Sequence, residues 1–199
     1  MILTVAGLKG GCGKTTSSVY LAHALSTSAR TLLVDTDPQA SALSWSETAG
    51  FGLPVVGLPV RDVHRRLPAL AVDFDHVVID TPPGELGIVR SALLAADVVL
   101  LPVAPSTIDL DRLRPTLDLL AEVEGLRPAA DLRVLLTRVR ARTRSATTAR
   151  EVLSGFGLDV IVTEVGMRES FALAFGGPVV DLGEYEAVRD ELAPVAVPA

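Results

Sequence analysis

Residues 9 to 16 read Lys9-Gly10-Gly11-Cys12-Gly13-Lys14-Thr15-Thr16. Gly10, Gly11 and Gly13 let backbone N–H groups, that of Cys12 included, converge on an anion with no Cβ in the way. Lys14 can reach β- and γ-phosphate oxygens, the Thr15 hydroxyl can ligate Mg²⁺, and Thr16 can donate to an α-phosphate. Lys9 is additional to that chemistry. The chain has only two lysines, Lys9 and Lys14, and its other basic side chains of the Lys/Arg type are arginines. Two lysines kept five residues apart in one loop, in a chain so biased, imply separate tasks for each.

Two further stretches end in carboxylates. Leu32-Leu33-Val34-Asp35-Thr36-Asp37-Pro38-Gln39 carries acids two residues apart, so both can face one side. Beside a Mg–phosphate site such a pair can hold metal waters or position a nucleophilic water; otherwise the two aspartates cap a helix. Val77-Val78-Ile79-Asp80-Thr81-Pro82-Pro83-Gly84 ends an apolar run in Asp80, a pattern suited to bonding a Mg²⁺-bound water. The Pro-Pro-Gly that follows is stiff and then freely hinged, as a switch segment would be.

These residues must be held by strands and helices, and the chain alternates them. Near-continuous apolar runs predict strands over 2–6, 31–35, 55–58, 76–80, 98–103, 132–137 and 160–162, of the kind buried on both faces. Helices are predicted over 17–28, 40–48, 62–70, 86–95, 107–124, 145–154 and 183–192, with Pro115 kinking or breaking the fifth and Gly125 ending it. The expected fold is α/β: one P-loop domain over residues 1–199, a mostly parallel twisted sheet with helices on both faces. The Pro-containing stretch 193–199 is expected to be an irregular tail. In such sheets ligands sit at the carboxyl ends of strands, where the acids fall.

Lys-Gly-Gly-x-Gly-Lys-Thr-Thr, Asp-x-Asp-Pro-Gln and the strand ending at Asp80 together resemble the deviant Walker A ATPases of the ParA/MinD family, nearest to small ParA-type (ParF-like) partition ATPases. The resemblance implies that Asp80's strand lies beside the loop's strand, that Asp37 orients the attacking water and that Asp35 lies near the metal. It implies that Lys9 crosses a dimer interface to the partner's nucleotide. Leu101 to Asp109 resembles a Pro-rich interface segment of the family, although Ser106 or Thr107 reads equally as an N-cap with Asp109 in the first helical turn.

Arg138, Arg140, Arg142 and Arg144, with Arg150 close behind, form the one basic run. Arginine suits phosphate through its planar, permanently charged fork. Arg138 is expected to flank the adenine, as the corresponding loop does in the family. Arg140, Arg142 and Arg144 are candidates for sequence-independent DNA contact; a solvated loop is the alternative. By resemblance, the stretch Thr163 to Glu169 completes the adenine pocket through Met167 and offers Arg168 to DNA. His23, His64 and His76 share no metal-ligand spacing and read as structural.

Composition bounds the partners. A net charge of −6 gives no overall attraction to nucleic acid, so any DNA binding must be local. The one cysteine, Cys12, excludes an intramolecular disulfide and paired-cysteine metal clusters. No leader is expected ahead of the first strand, and no run reaches the roughly 20 apolar residues of a membrane span. The expectation is therefore a cytoplasmic, nucleoid-associated ATPase that uses ATP and Mg²⁺. It forms a homodimer on ATP, binds non-specific DNA, answers to a ParB/ParG-like adaptor and leaves membranes alone. DNA partition is the main reading. A ParA-like positioning ATPase for a protein cargo shares every motif. A MinD-like role would need an amphipathic basic C-terminal helix, which residues 191–199 do not encode.

Overall fold

Apolar runs without alternation require a sheet covered on both faces. The computed structural model, which describes residues 1–126 and 130–192, has that sheet. Strands β1 (Ile2–Val5), β2 (Thr31–Asp35), β3 (Val55–Gly57), β4 (His76–Asp80), β5 (Val98–Val103), β6 (Asp131–Leu136) and β7 (Asp159–Val160) lie in the order β3-β2-β4-β1-β5-β6-β7. Every strand pairing in the sheet is parallel. The expected neighbourhood is present: β4 pairs with β1, setting Asp80 opposite Val5 at the loop's entrance. On its other side Asp80 is in register with Asp35 of β2.

Nine helices fill the connections among the described residues: α1 (Lys14–Ser26), α2 (Ser41–Ala49), α3 (Val63–Ala71), α4 (Leu86–Ala95), α5 (Thr107–Asp111), α6 (Arg114–Glu124), α7 (Ser145–Gly155), α8 (Glu169–Ala172) and α9 (Tyr185–Leu192). Side chains alternate across each strand and so divide the core. Leu3, Val5, Leu33, Val78, Leu100 and Leu135 face α1, α2 and α9. Leu32, Val34, Val77 and Ile79 meet α3 and α4, and Val99, Leu101, Val103, Val134 and Leu136 meet α4, α6 and α7. Each such fully buried Val, Leu or Ile contributes about 1.5–3 kcal/mol of transfer free energy.

The break expected at Pro115 divides the helical run over 107–124 into α5 and α6, with Pro115 in the first turn of α6, where its missing N–H costs no intrahelical bond. Two other local outcomes differ from the sequence reading. Helix α1 starts at Lys14 rather than Ser17, since Gly13, at φ 91°, turns the loop directly into it. Strand β7 stops at Val160. There Arg150 takes the Val160, Ile161 and Val162 carbonyls and Glu191 takes the Val162 and Thr163 amides, so after a last backbone bond from Ile161 N to Val134 O at 2.9 Å side chains take over from the ladder. Helix α8 had no counterpart in the sequence reading, and the proposed tail 193–199 lies outside the described residues. No helix among the described residues is long and apolar enough to cross a membrane.

Candidate nucleotide site

The loop between β1 and α1 wraps around the end of α1 through three left-turning glycines, Gly7, Gly11 and Gly13, at φ 154°, 77° and 91°. A Cβ is disfavoured at those angles, so glycine is required there. The loop is tied from outside by three bonds. Thr137 Oγ1 donates to Cys12 O at 2.8 Å, Arg138 donates to Gly11 O at 2.7 Å, and Leu8 N donates to Thr116 Oγ1 at 3.2 Å. Lys14 is buried, and its Nζ donates to Lys9 O at 2.8 Å, which keeps the ammonium over the loop. The N-cap of α1 makes no side-chain cap bond, so the first amides of this helix are suited to meeting an anion.

Asp80 lies beneath the loop with no exposed surface. Its Oδ1 accepts Ser18 Oγ at 2.9 Å, whereas Oδ2 is buried without a hydrogen-bond partner among the described residues. Burial pushes this carboxyl up to about 7 and the Asp35 charge adds to the rise; the Thr15 and Ser18 hydroxyls and Lys14 oppose it. A buried, unpartnered carboxylate oxygen next to the Thr15 hydroxyl is a fit for a divalent cation or its water. Among the described residues no group of three or more His, Cys, Asp or Glu could cage a metal alone. A cation there would depend on phosphate oxygens, as Mg²⁺ characteristically does.

The two acids at the end of β2 divide. Asp35 is buried, and its oxygens accept Asp37 N and Leu43 N, both at 3.0 Å. Burial raises its carboxyl, partly offset by those amides. Leu43 is in the first turn of α2, which has no other side-chain cap, so Asp35 acts as that helix's cap from the strand end. Asp37 is half-buried, with Oδ1 accepting Gln39 N at 2.9 Å, which fixes its carboxylate at the mouth of the sheet. The Pro82-Pro83-Gly84 segment lies against the loop: a Cβ at Gly10 would stand 3.8 Å from that of Pro83, and Gly84 turns at φ 76°.

A cleft of about 300 Å³ opens beside the loop between Gly11, Thr16, Arg138, Met167, Phe171 and Tyr185. Arg138 and Met167, the two residues assigned to the adenine in the sequence reading, both line this cleft. Arg168 also lines this cleft, but it is paired to Glu184 at 2.7 Å and lies 6.0 Å over the Phe171 ring. A second cleft, of about 600 Å³, runs in front of Lys9, Gly10 and Gly11 to Arg140 and Thr143. Arg140, Arg142 and Arg144 are exposed, with no ion pair among the described residues. Arg150 is not part of that free set, being bound to Glu164 at 3.0 Å. Ser106 is the N-cap of α5, accepting Asp109 N at 3.2 Å, which is the capping alternative.

Several contributors went unread in the sequence. Ser18 and Thr36 bond Asp80, Thr137 holds Cys12, and Ser17 Oγ meets Tyr185 Oη at 2.9 Å to join α1 to α9. The available signal was two serines in a helix that is buried nearly all round.

The strand order, the glycine loop and the acid at the end of β4 define a P-loop nucleotide-binding domain of the ParA/MinD fold. The chain belongs to the CobQ/CobB/MinD/ParA nucleotide-binding domain family, whose model matches residues 3–178. It is 30% identical over 188 residues to the maintenance of carboxysome distribution protein A of Halothiobacillus neapolitanus, covering 91% of this chain and 87% of that one. It is 29% identical to the chromosome partitioning protein ParA of Myxococcus xanthus, covering 90% and 80%. Among solved structures, Cyanothece McdA superposes with a TM-score of 0.79 at 21% identity, covering 96% of this chain and 98% of that one. A putative plasmid partition protein of Borrelia burgdorferi bound to AMPPNP gives 0.79 at 22% identity, covering 95% and 96%.

Proposed function

We propose that this chain is a Mg·ATP-dependent switch ATPase that closes as a homodimer, binds DNA without sequence preference, and distributes a cargo over it. The observation that carries this reading is the placing of Lys9. Its ammonium lies outside the loop that Lys14 covers and faces the broad outer cleft, at the edge of the phosphate site. A second lysine at that edge supports a role for it at a nucleotide held by another chain.

Lys14 exchanges the Lys9 carbonyl for β- and γ-phosphate oxygens when ATP enters. Thr15 and Asp80 would hold Mg²⁺, which when bound supplies charge neutralisation at those oxygens. Asp37 orients a water in line with the γ-phosphorus and accepts its proton. Lys9 of the facing chain neutralises the charge that develops on the phosphoryl oxygens. Loss of the γ-phosphate releases the Pro82-Pro83-Gly84 segment from the loop, and the dimer opens. An adaptor on the cargo accelerates hydrolysis.

Arg140 lines the outer cleft, and Arg142 and Arg144 follow it, exposed and without an ion pair among the described residues, so a dimer would join two such strips into one basic face despite the net charge of −6. The cargo is a protein assembly in the first reading, supported by the 30% identity to a carboxysome-distribution protein across nearly the whole chain. DNA partition is the second, supported by the similar extent of match to a chromosome partitioning ParA. The test is retention on a random-sequence duplex at low salt. Retention with ATP and release with ADP is expected; equal behaviour with both nucleotides overturns the reading. An adaptor that stimulates hydrolysis only when bound to a protein shell selects the first cargo, and one active only on a DNA site selects the second.

A further inference from the structure

Lys9 is not free in its own chain. Its ammonium is ion-paired to the Asp109 carboxylate on α5, one hundred residues further along. The side chains are 29% and 12% exposed, so water only partly screens the pair. Asp109 is itself oriented: its Oδ2 accepts the Ser106 hydroxyl, and its amide donates to Ser106 Oγ at 3.2 Å. Helix α5 contributes no fully buried side chain, and the helical run breaks before α6, so the segment carrying Asp109 is anchored within α5 only by the partly buried Leu110. The Lys9 carbonyl meanwhile accepts Lys14 Nζ. The carbonyl of Lys9 therefore holds one of the chain's two lysine ammonium groups, and its side chain is the other.

Lys9 cannot neutralise Asp109 of its own chain and phosphate oxygens of a facing chain at once. We propose that Asp109 is a positioning residue that holds Lys9 in cis and so sets the threshold for dimerisation. The proposal rests on the cross-interface role of Lys9 given above. Phosphates that draw Lys14 from the Lys9 carbonyl loosen the same residue whose side chain must then leave Asp109. ATP binding and release of Lys9 thus become one event. Competition of this kind lowers apparent affinity by the fraction of chains with Lys9 released. Each dimer must break two such pairs, so a penalty of roughly 5-fold per chain becomes roughly 25-fold in the dimerisation constant.

The test is the dimerisation constant of the full chain with a non-hydrolysable ATP analogue, by sedimentation, in wild type, Asp109→Asn, Asp109→Glu, Lys9→Ala and the Lys9→Ala/Asp109→Asn double variant. Asparagine keeps an oxygen for Ser106 while removing the charge. Asp109→Asn is expected to dimerise roughly 10- to 30-fold more tightly, Asp109→Glu to return toward wild type, and Asp109→Asn to change nothing once Lys9 is alanine. If Asp109→Asn dimerises no better than wild type while Lys9→Ala dimerises poorly, Asp109 is no cis restraint and the inference fails alone. If Lys9→Ala dimerises as well as wild type, the proposed role of Lys9 fails and takes this inference with it.

Discussion

Replacing Asp80 by asparagine removes a charge from a position with no exposed surface. In the folded chain this carboxyl is pushed up to about 7 from 3.8, chiefly by burial, with Asp35 adding and Thr15, Ser18 and Lys14 opposing. Between those values the folded chain holds a proton that the unfolded chain has lost. The stability this group contributes is therefore complete below the unfolded value, declines as pH rises, and is gone above about 7. The slope for one proton is on the order of 1 kcal/mol per pH unit, and the whole span is at most roughly 4 kcal/mol. Asparagine does not titrate. In urea unfolding with EDTA and no nucleotide, the stability of Asp80→Asn relative to wild type should rise steadily from about pH 5 to 7 and level off near pH 8. Added Mg·ATP should reverse the order, stabilising wild type by about 3 kcal/mol at one hundred times its Kd and the variant much less. A stability difference that is flat with pH, or that moves against the variant as pH rises, refutes the account of this site.

Three further outcomes are expected. Asp37→Ala should bind a fluorescent ATP analogue normally yet hydrolyse ATP roughly 10²- to 10⁴-fold more slowly, as read by phosphate release. Arg140→Ala, Arg142→Ala and Arg144→Ala together should abolish ATP-dependent DNA retention and leave ATPase activity without DNA unchanged; for wild type, six phosphate contacts per dimer predict a log–log salt slope of roughly −5. Tyr185→Phe leaves the buried Ser17 hydroxyl without its α9 partner and should cost about 1–3 kcal/mol in urea unfolding.

The strands were readable because a parallel sheet covered on both faces leaves few polar positions within them, Thr4 and Arg133 being the exceptions in β1 and β6, and six of the seven fall within a residue or so of their predicted ends. The order of those strands was not readable from periodicity, which carries no information on lateral neighbours. Asp80 could be located from its run, but not that one oxygen would be bonded and the other left bare. Asp35 and Asp37 look equivalent in sequence. The first is spent on amides of α2 because the chain doubles back eight residues later, at Leu43. Arg150 reads as one more member of a basic run, yet its guanidinium binds three carbonyls at the end of β7. Lys9 was singled out by composition. Its ion pair with Asp109 depends on a contact between the β1–α1 loop and α5 that only the folded sheet brings together.

The central claim is that a complete hydrolytic site is assembled from two chains. On the proposed function, Lys9→Ala would lack what a chain lends to its neighbour, and Asp37→Ala what a chain supplies to itself. Steady-state ATP hydrolysis by each variant, and by an equal mixture of the two, tests this directly. A mixed dimer contains one site with Asp37 from one chain and Lys9 from the other, so the mixture should exceed both variants and approach about one quarter of wild-type activity if pairing is random. A mixture that hydrolyses ATP only at the mean rate of its two components contradicts the shared site.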